Sequence, residues 1–184
     1  MTPRESLTEL PTLDDDLTTE GEPEAEFNPG IASRLPAKNV AGAALFRDQE
    51  GRILLVEPNY KPTWILPGGV VEENEGPHAG CRRELAEELG LDHDPGRLLV
   101  VDWVPRHGVW RDQLQFVFDC GVLDTAAIES IKLQESELRA AHFVAPEDLG
   151  SVPLTPSLAR RLGQALTALE QDTTAYTTYG RLDR

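Results

Sequence analysis

A glycine pair, followed at fixed distance by an acidic helix, constrains this chain more than any other feature. Pro67-Gly68-Gly69 closes a short apolar stretch, Glu75-Gly76-Pro77 follows, and Cys81, Leu85 and Leu89 then recur at four-residue spacing up to Gly90. Proline suits a helix's first turn, where its missing N–H would be unpaired anyway, and glycine suits the stop because it adopts left-handed angles freely. The spacing predicts a helix between Gly76 and Gly90 with those three apolar residues as its buried stripe. At about 100° per residue, Glu84, Glu87 and Glu88 then fall within one arc beside the stripe. Like charges so placed repel by about 0.2–0.5 kcal/mol per exposed pair, and a divalent cation removes the conflict. Magnesium prefers such hard oxygen donors, completed by water and substrate phosphate. Without a side chain in the way, the Gly69 carbonyl is a further candidate ligand. Arg83 beside Glu84 can fork onto Glu75 and tie the loop to the helix, which is bracing and not catalysis.

Around this unit the pattern is that of one mixed α/β domain. Val40 to Phe46 and Ile53 to Glu57 flank a polar turn containing Gly51 and read as a hairpin. Trp64 to Leu66 is an extended stretch stopped by Pro67-Gly68-Gly69, and Leu98 to Val104, Leu114 to Val122 and His142 to Ala145 are later strands. A second helix begins with Thr155 as cap and Pro156 in its first turn, with Leu158, Leu162, Ala165, Leu166 and Leu169 on one face. Residues 171–184 are polar without a clear period and are expected to trail as a C-terminal tail.

The net charge of −15 is unevenly placed: residues 1–26 hold nine acids against Arg4 alone, over half of the total. With prolines at 3, 11 and 23 and few large apolar groups, this stretch buries too little surface to offset its ordering entropy. Residues 1–34 are therefore expected to be an acidic, disordered tail ahead of a domain at 35–170. So acidic a chain lacks the clustered basic stripe that binding to polyphosphate backbones requires, which excludes a nucleic-acid polymer or an anionic membrane as partner. Cys81 and Cys120 stand at no metal-ligand spacing and are expected to be buried free thiols. No apolar run approaches the roughly 18 residues of a membrane span and the first residues are not a signal core, so a cytoplasmic location is expected.

Gly69, Glu75 after five residues, Arg83-Glu84-Leu85 after seven more, then Ala86-Glu87-Glu88-Leu89-Gly90-Leu91 resemble the Nudix box at every specified position. The order of strands and helices from Val40 to Leu169 is similar to that family's α/β/α sandwich with a mixed β-sheet. The resemblance implies magnesium- or manganese-dependent hydrolysis of a diphosphate linkage in a nucleoside diphosphate-X substrate: a nucleoside triphosphate, a nucleotide sugar such as ADP-ribose, or a dinucleotide polyphosphate. Glu84, Glu87 and Glu88 become the metal ligands with Gly69, and Glu75 with Arg83 the brace. Family members often recruit a further carboxylate from a later loop; Glu135 and Glu137 are the candidates, and the distance from Glu137 to Phe143 favours Glu137 as the base. Trp64, Trp103, Arg106, Trp110 and Arg111 are candidates for stacking a base or neutralising a phosphate, and His107 reads as merely exposed. The alternative is a Nudix-like sensor domain that binds a nucleotide without turnover. Homodimerisation is left open by the sequence.

Overall fold

The computed structural model describes residues 28 and 30–182. The acidic stretch expected as a tail lies largely outside the described residues. The chain divides after Ala37. Before that point the described residues hold one short helix, α1 (Ile31–Arg34).

From Lys38 onward the architecture is a mixed sheet between two long helices. Its strands are β1 (Asn39–Arg47), β2 (Ile53–Pro58), β3 (Gly68–Val70), β4 (Leu98–Val104), β5 (Gln113–Val122), β6 (Leu138–Val144), β7 (Ala175–Thr178) and β8 (Arg181–Leu182). They run in the order β6-β2-β1-β5-β4-β7-β8, with β3 paired to β1. The β1/β5 and β4/β7 pairs are parallel and the others antiparallel. The helices after Ala37 are α2 (Pro77–Leu89), α3 (Thr125–Ser130) and α4 (Pro156–Glu170), with a 3-10 turn at Pro146–Asp148.

The near-continuous apolar runs of β1 and β2 are explained by burial on both faces. Because side chains alternate along a strand, Ala44, Phe46, Leu54 and Val56 pack with Cys81, Leu85 and Leu89 of α2. Leu45, Ile53 and Leu55 face the other way, onto Leu158, Leu162, Ala165 and Ala168 of α4. The two thiols are free and buried, and among the described residues no helix is long and apolar enough to cross a membrane.

Three features depart from what the sequence leads one to expect. The Pro67-Gly68-Gly69 stop is itself the start of a strand: β3 pairs with β1 at Gly42↔Gly69 and Ala43↔Gly68, while β2 pairs with β1 only at Arg47↔Ile53. Gly68 has φ 130, and a Cβ there would lie 2.3 Å from the Gly42 carbonyl oxygen, so only glycine lets β3 close on β1. The expected C-terminal tail is instead part of the sheet, since β7 lies parallel to β4 and turns back as β8. What holds it there is polar: wholly buried Asp102 on β4 accepts from Thr177 Oγ1 (2.7 Å) and from the Gly180 N–H (2.8 Å). Finally, α3 was not visible as an apolar period; it starts on a cap, Asp124 accepting from the Ala127 N–H at 2.8 Å.

Candidate active site

The acidic helix is bounded as its sequence dictates. Gly76 is the N-cap, Pro77 opens the first turn, and Gly90 ends the helix at φ 67 with its N–H on the Ala86 carbonyl. Between these ends the three glutamates occupy graded environments: Glu88 is buried, Glu84 half-buried and Glu87 exposed. The Gly68 N–H donates to Glu88 Oε2 at 2.7 Å, which fastens β3 to α2. Gly69 abuts Glu84, and a Cβ at Gly69 would lie 2.4 Å from Glu84 Oε1, so glycine is required to keep that carboxylate against the backbone.

Arg83 organises the acidic cluster. Its Nε donates to Glu75 Oε1 (3.0 Å) and its Nη2 to Glu75 Oε2 (3.0 Å) and the Val70 carbonyl (2.9 Å). Its Nη1 donates to Glu84 Oε1 and Glu87 Oε2, both at 3.0 Å. Glu75 Oε2 also accepts from the Glu72 N–H at 2.9 Å, so the loop after β3 is closed on itself and on the helix. These charge-assisted bonds lower the Glu75 carboxyl and raise the Arg83 guanidinium.

Burial acts in the opposite sense on the two inner glutamates. Burial, and then the charges of Glu84, Glu137 and Glu87, push Glu88 up to about 7 against the single lowering contact from Gly68. Glu84 is raised mainly by burial, opposed by Arg83. Glu137 is placed by backbone contacts to the end of α2: Lys132 N–H donates to the Leu89 carbonyl (2.8 Å), Gln134 N–H to the Glu88 carbonyl (3.0 Å) and Glu137 N–H to the Gln134 carbonyl (2.9 Å). Its charge acts on Glu84, Glu88 and Tyr60, and that of Glu135 is not among the causes of those shifts.

Among the described residues no three Asp, Glu, His or Cys side chains are gathered at metal-binding geometry. Arg83 holds one oxygen each of Glu84 and Glu87, and Gly68 holds one of Glu88. The donor set nonetheless fits a hard divalent cation: all are oxygens, and burial, with the neighbouring carboxylates adding to it, pushes Glu88 up to about 7. A bound cation reverses that penalty.

A cavity of about 370 Å³ opens beside the glycine pair. Of the candidates for base or phosphate binding, Trp110 and Arg111 line it, joined by Tyr60, Lys61, His107 and Arg161. Trp64, Trp103 and Arg106 do not line it. Trp64 is stacked on His142 at 3.9 Å between ring centroids. Trp103 donates from Nε1 to Asp112 Oδ2 at 3.3 Å. Arg106 is exposed. Neither Lys61 nor Arg161 stood out in the sequence: Lys61 is a lone base in a polar turn, and Arg161 follows Arg160 in a helix whose arginines would be expected on the solvent face.

The NUDIX domain model matches residues 37–166, and the chain belongs to that family. It is 42% identical over 66 residues to the putative ADP-ribose pyrophosphatase YjhB of Bacillus subtilis, a match covering 36% of this chain and 30% of that protein. It is 44% identical over 64 residues to diphosphoinositol polyphosphate phosphohydrolase 2 of Rattus norvegicus, covering 34% and 36%. The chain thus spans about a third of the length of these relatives. The solved MutT protein of Methanosarcina mazei superposes with a TM-score of 0.60 at 24% identity over 75% of this chain and 98% of that one, which shows a shared fold.

Proposed function

We propose that this chain hydrolyses a diphosphate linkage in a nucleoside diphosphate-X type substrate, using a divalent cation, Mg2+ or Mn2+. The observation that carries the proposal is the Glu88 carboxyl, pushed by burial and by the charges of Glu84 and Glu137 to about 7 and held by the N–H of Gly68, which itself lines the cavity. An acidic cluster this costly to ionise gains most from a cation and a phosphate group brought together on it. Relatives named as a putative ADP-ribose pyrophosphatase and as a diphosphoinositol polyphosphate phosphohydrolase support a diphosphate substrate.

Glu84, Glu87 and Glu88, with the Gly69 carbonyl, would hold the cation. When bound, such an ion neutralises charge on diphosphate oxygens and acidifies water, worth several kcal/mol of barrier. Glu137, exposed and close enough for its charge to act on Glu84 and Glu88, accepts the proton of the attacking water. Lys61 lies near enough for Glu88's charge to act on its ammonium and offers that ammonium to the diphosphate. Glu75 and Arg83 keep the loop and helix in register without touching substrate. Trp110 and Arg111 receive the remainder of the substrate from the exposed side of the cavity.

A release screen with magnesium and with manganese, across nucleoside triphosphates, nucleotide sugars and dinucleotide polyphosphates, tests this directly. Turnover of at least one class, abolished by chelator, is expected. Saturable binding without turnover in every class and with both ions would point to a sensor.

A further inference from the structure

Arg161 departs from the pattern of its own helix. It stands in the apolar face of α4 between Leu158 and Leu162, with only 6% of its surface exposed. Its Nε donates to Asp102 Oδ2 at 2.8 Å and its Nη2 lies 2.6 Å from the same oxygen. Asp102 Oδ1 meanwhile takes Thr177 Oγ1 and the Gly180 N–H, so one buried carboxylate fixes both the arginine and the β7–β8 hairpin. The hairpin turn is further held by Tyr179 N–H on the Trp103 carbonyl (2.8 Å) and by Arg160 Nε and Nη2 on the Tyr179 carbonyl (3.1 and 2.9 Å).

The third guanidinium nitrogen, Nη1, has no hydrogen-bond acceptor among the described residues. It is not sealed off either, since the one fully enclosed side-chain atom without a partner among those residues is Arg47 Nε. Arg161 lines the cavity described above, which puts its guanidinium within reach of that space. In a protein of net charge −15 the cavity lining includes Lys61, Arg111 and Arg161 and not one Asp or Glu side chain. Placing a cation in an apolar helix face is costly and is repaid only where its partners are well ordered. Asp102 supplies that order and leaves one edge of the fork available, which is the geometry by which arginine reads a planar or tetrahedral oxyanion.

We propose that Arg161, positioned by Asp102, is a specificity-determining residue that binds a second anionic group of the substrate, a phosphate or carboxylate separate from the diphosphate at the acidic helix. This rests on the hydrolase reading only for the word substrate; the anion subsite itself stands on the cavity. Substrates whose far end carries such a group are then preferred over those ending in a neutral sugar.

The test uses the full chain stripped of metal on chelating resin and titrated calorimetrically with inorganic pyrophosphate. Without metal, Glu84, Glu87, Glu88 and Glu137 oppose an anion at the helix, so binding reports the cavity. Two variants accompany the wild type, each first checked for a cooperative melt. Arg161→Lys keeps the charge and the bond to Asp102 but removes the fork. The double variant Asp102→Asn with Arg161→Gln replaces the ion pair by a neutral hydrogen-bonded pair, which avoids stranding a buried charge. The expected result is saturable binding by wild type, weakened about tenfold or more in both variants. Absence of binding by wild type, undiminished binding by either folded variant, or saturation by adenosine and not by pyrophosphate would overturn the proposal. Hydrolysis is not read at any point, so failure here leaves the diphosphate reading standing, and failure of that reading leaves the anion subsite standing.

Discussion

The Gly68 N–H donates to Glu88 Oε2 across 2.7 Å, joining the first residue of β3 to the most buried acid of α2. This bond favours the ionised carboxylate, yet burial outweighs it and Glu88 titrates near 7 in the folded chain against 4.5 for an ordinary glutamate. The folded protein therefore binds more protons than the unfolded chain between those two values, and stability falls as pH rises through that window. Below about 4.5 the contribution is fully present; above about 7 it is lost, at a cost of roughly 2 to 4 kcal/mol. In metal-free protein, Glu88→Gln keeps an acceptor for Gly68 and removes the charge. It is expected to be more stable than wild type above pH 7 by about that amount and equal to it near pH 4, as read by urea denaturation at each pH. Magnesium should raise the melting temperature of wild type and leave that of Glu88→Gln nearly unmoved.

Arg83 braces through a planar fork that lysine cannot reproduce. Arg83→Lys should retain the fold and weaken magnesium binding by about 10- to 100-fold, because Glu75 and Val70 lose the contacts that hold the loop after β3 against the helix. A magnesium titration followed by thermal shift checks this, and unchanged affinity would remove Arg83 from the site's support.

Glu137 and Glu135 share a loop but differ in electrostatic reach, since only Glu137 is among the charges acting on Glu84 and Glu88. Glu137→Gln is expected to lower kcat by about 10²- to 10⁴-fold at saturating magnesium, while Glu135→Gln stays within about threefold of wild type. The reverse pattern would transfer the role to Glu135, and two silent variants would place the base elsewhere.

The C-terminal hairpin gives a stability prediction that a solvated tail would not. Thr177→Val is nearly isosteric and removes one donor from the buried Asp102 carboxylate, so it should cost about 1–3 kcal/mol by urea denaturation. An unchanged midpoint would mean that β7 contributes nothing to the fold.

These contrasts show which parts of the molecule were legible in the sequence. The acidic helix was readable because Pro77, Gly90 and the Cys81-Leu85-Leu89 spacing are local signals, each with its own physical cause. The strands β1 and β2 were readable because burial on both faces demands near-continuous apolar runs, and β4 and β5 because they are rich in Val, Leu and Phe. The β7–β8 hairpin was not, because its anchor is a hydrogen-bonded aspartate on a strand 75 residues earlier and its own residues, Ala175 to Leu182, form no apolar run. Arg161 was hidden for the same reason: an arginine in a helix normally marks the solvent face, and only the buried Asp102 beneath it reverses that rule. Among the tryptophans, Trp103 lies on β4 with its Nε1 on Asp112, a partner 9 residues away that no local period in the sequence points to.

The most direct test of the central claim is turnover of the best substrate from the release screen by wild type and Glu88→Gln, at saturating magnesium and pH 8, with both proteins shown to be folded. The expected result is a loss of about 10²- to 10⁴-fold in kcat for Glu88→Gln, roughly 3 to 5 kcal/mol of barrier. Full turnover by a folded Glu88→Gln protein would contradict the assignment of chemistry to the acidic face of α2.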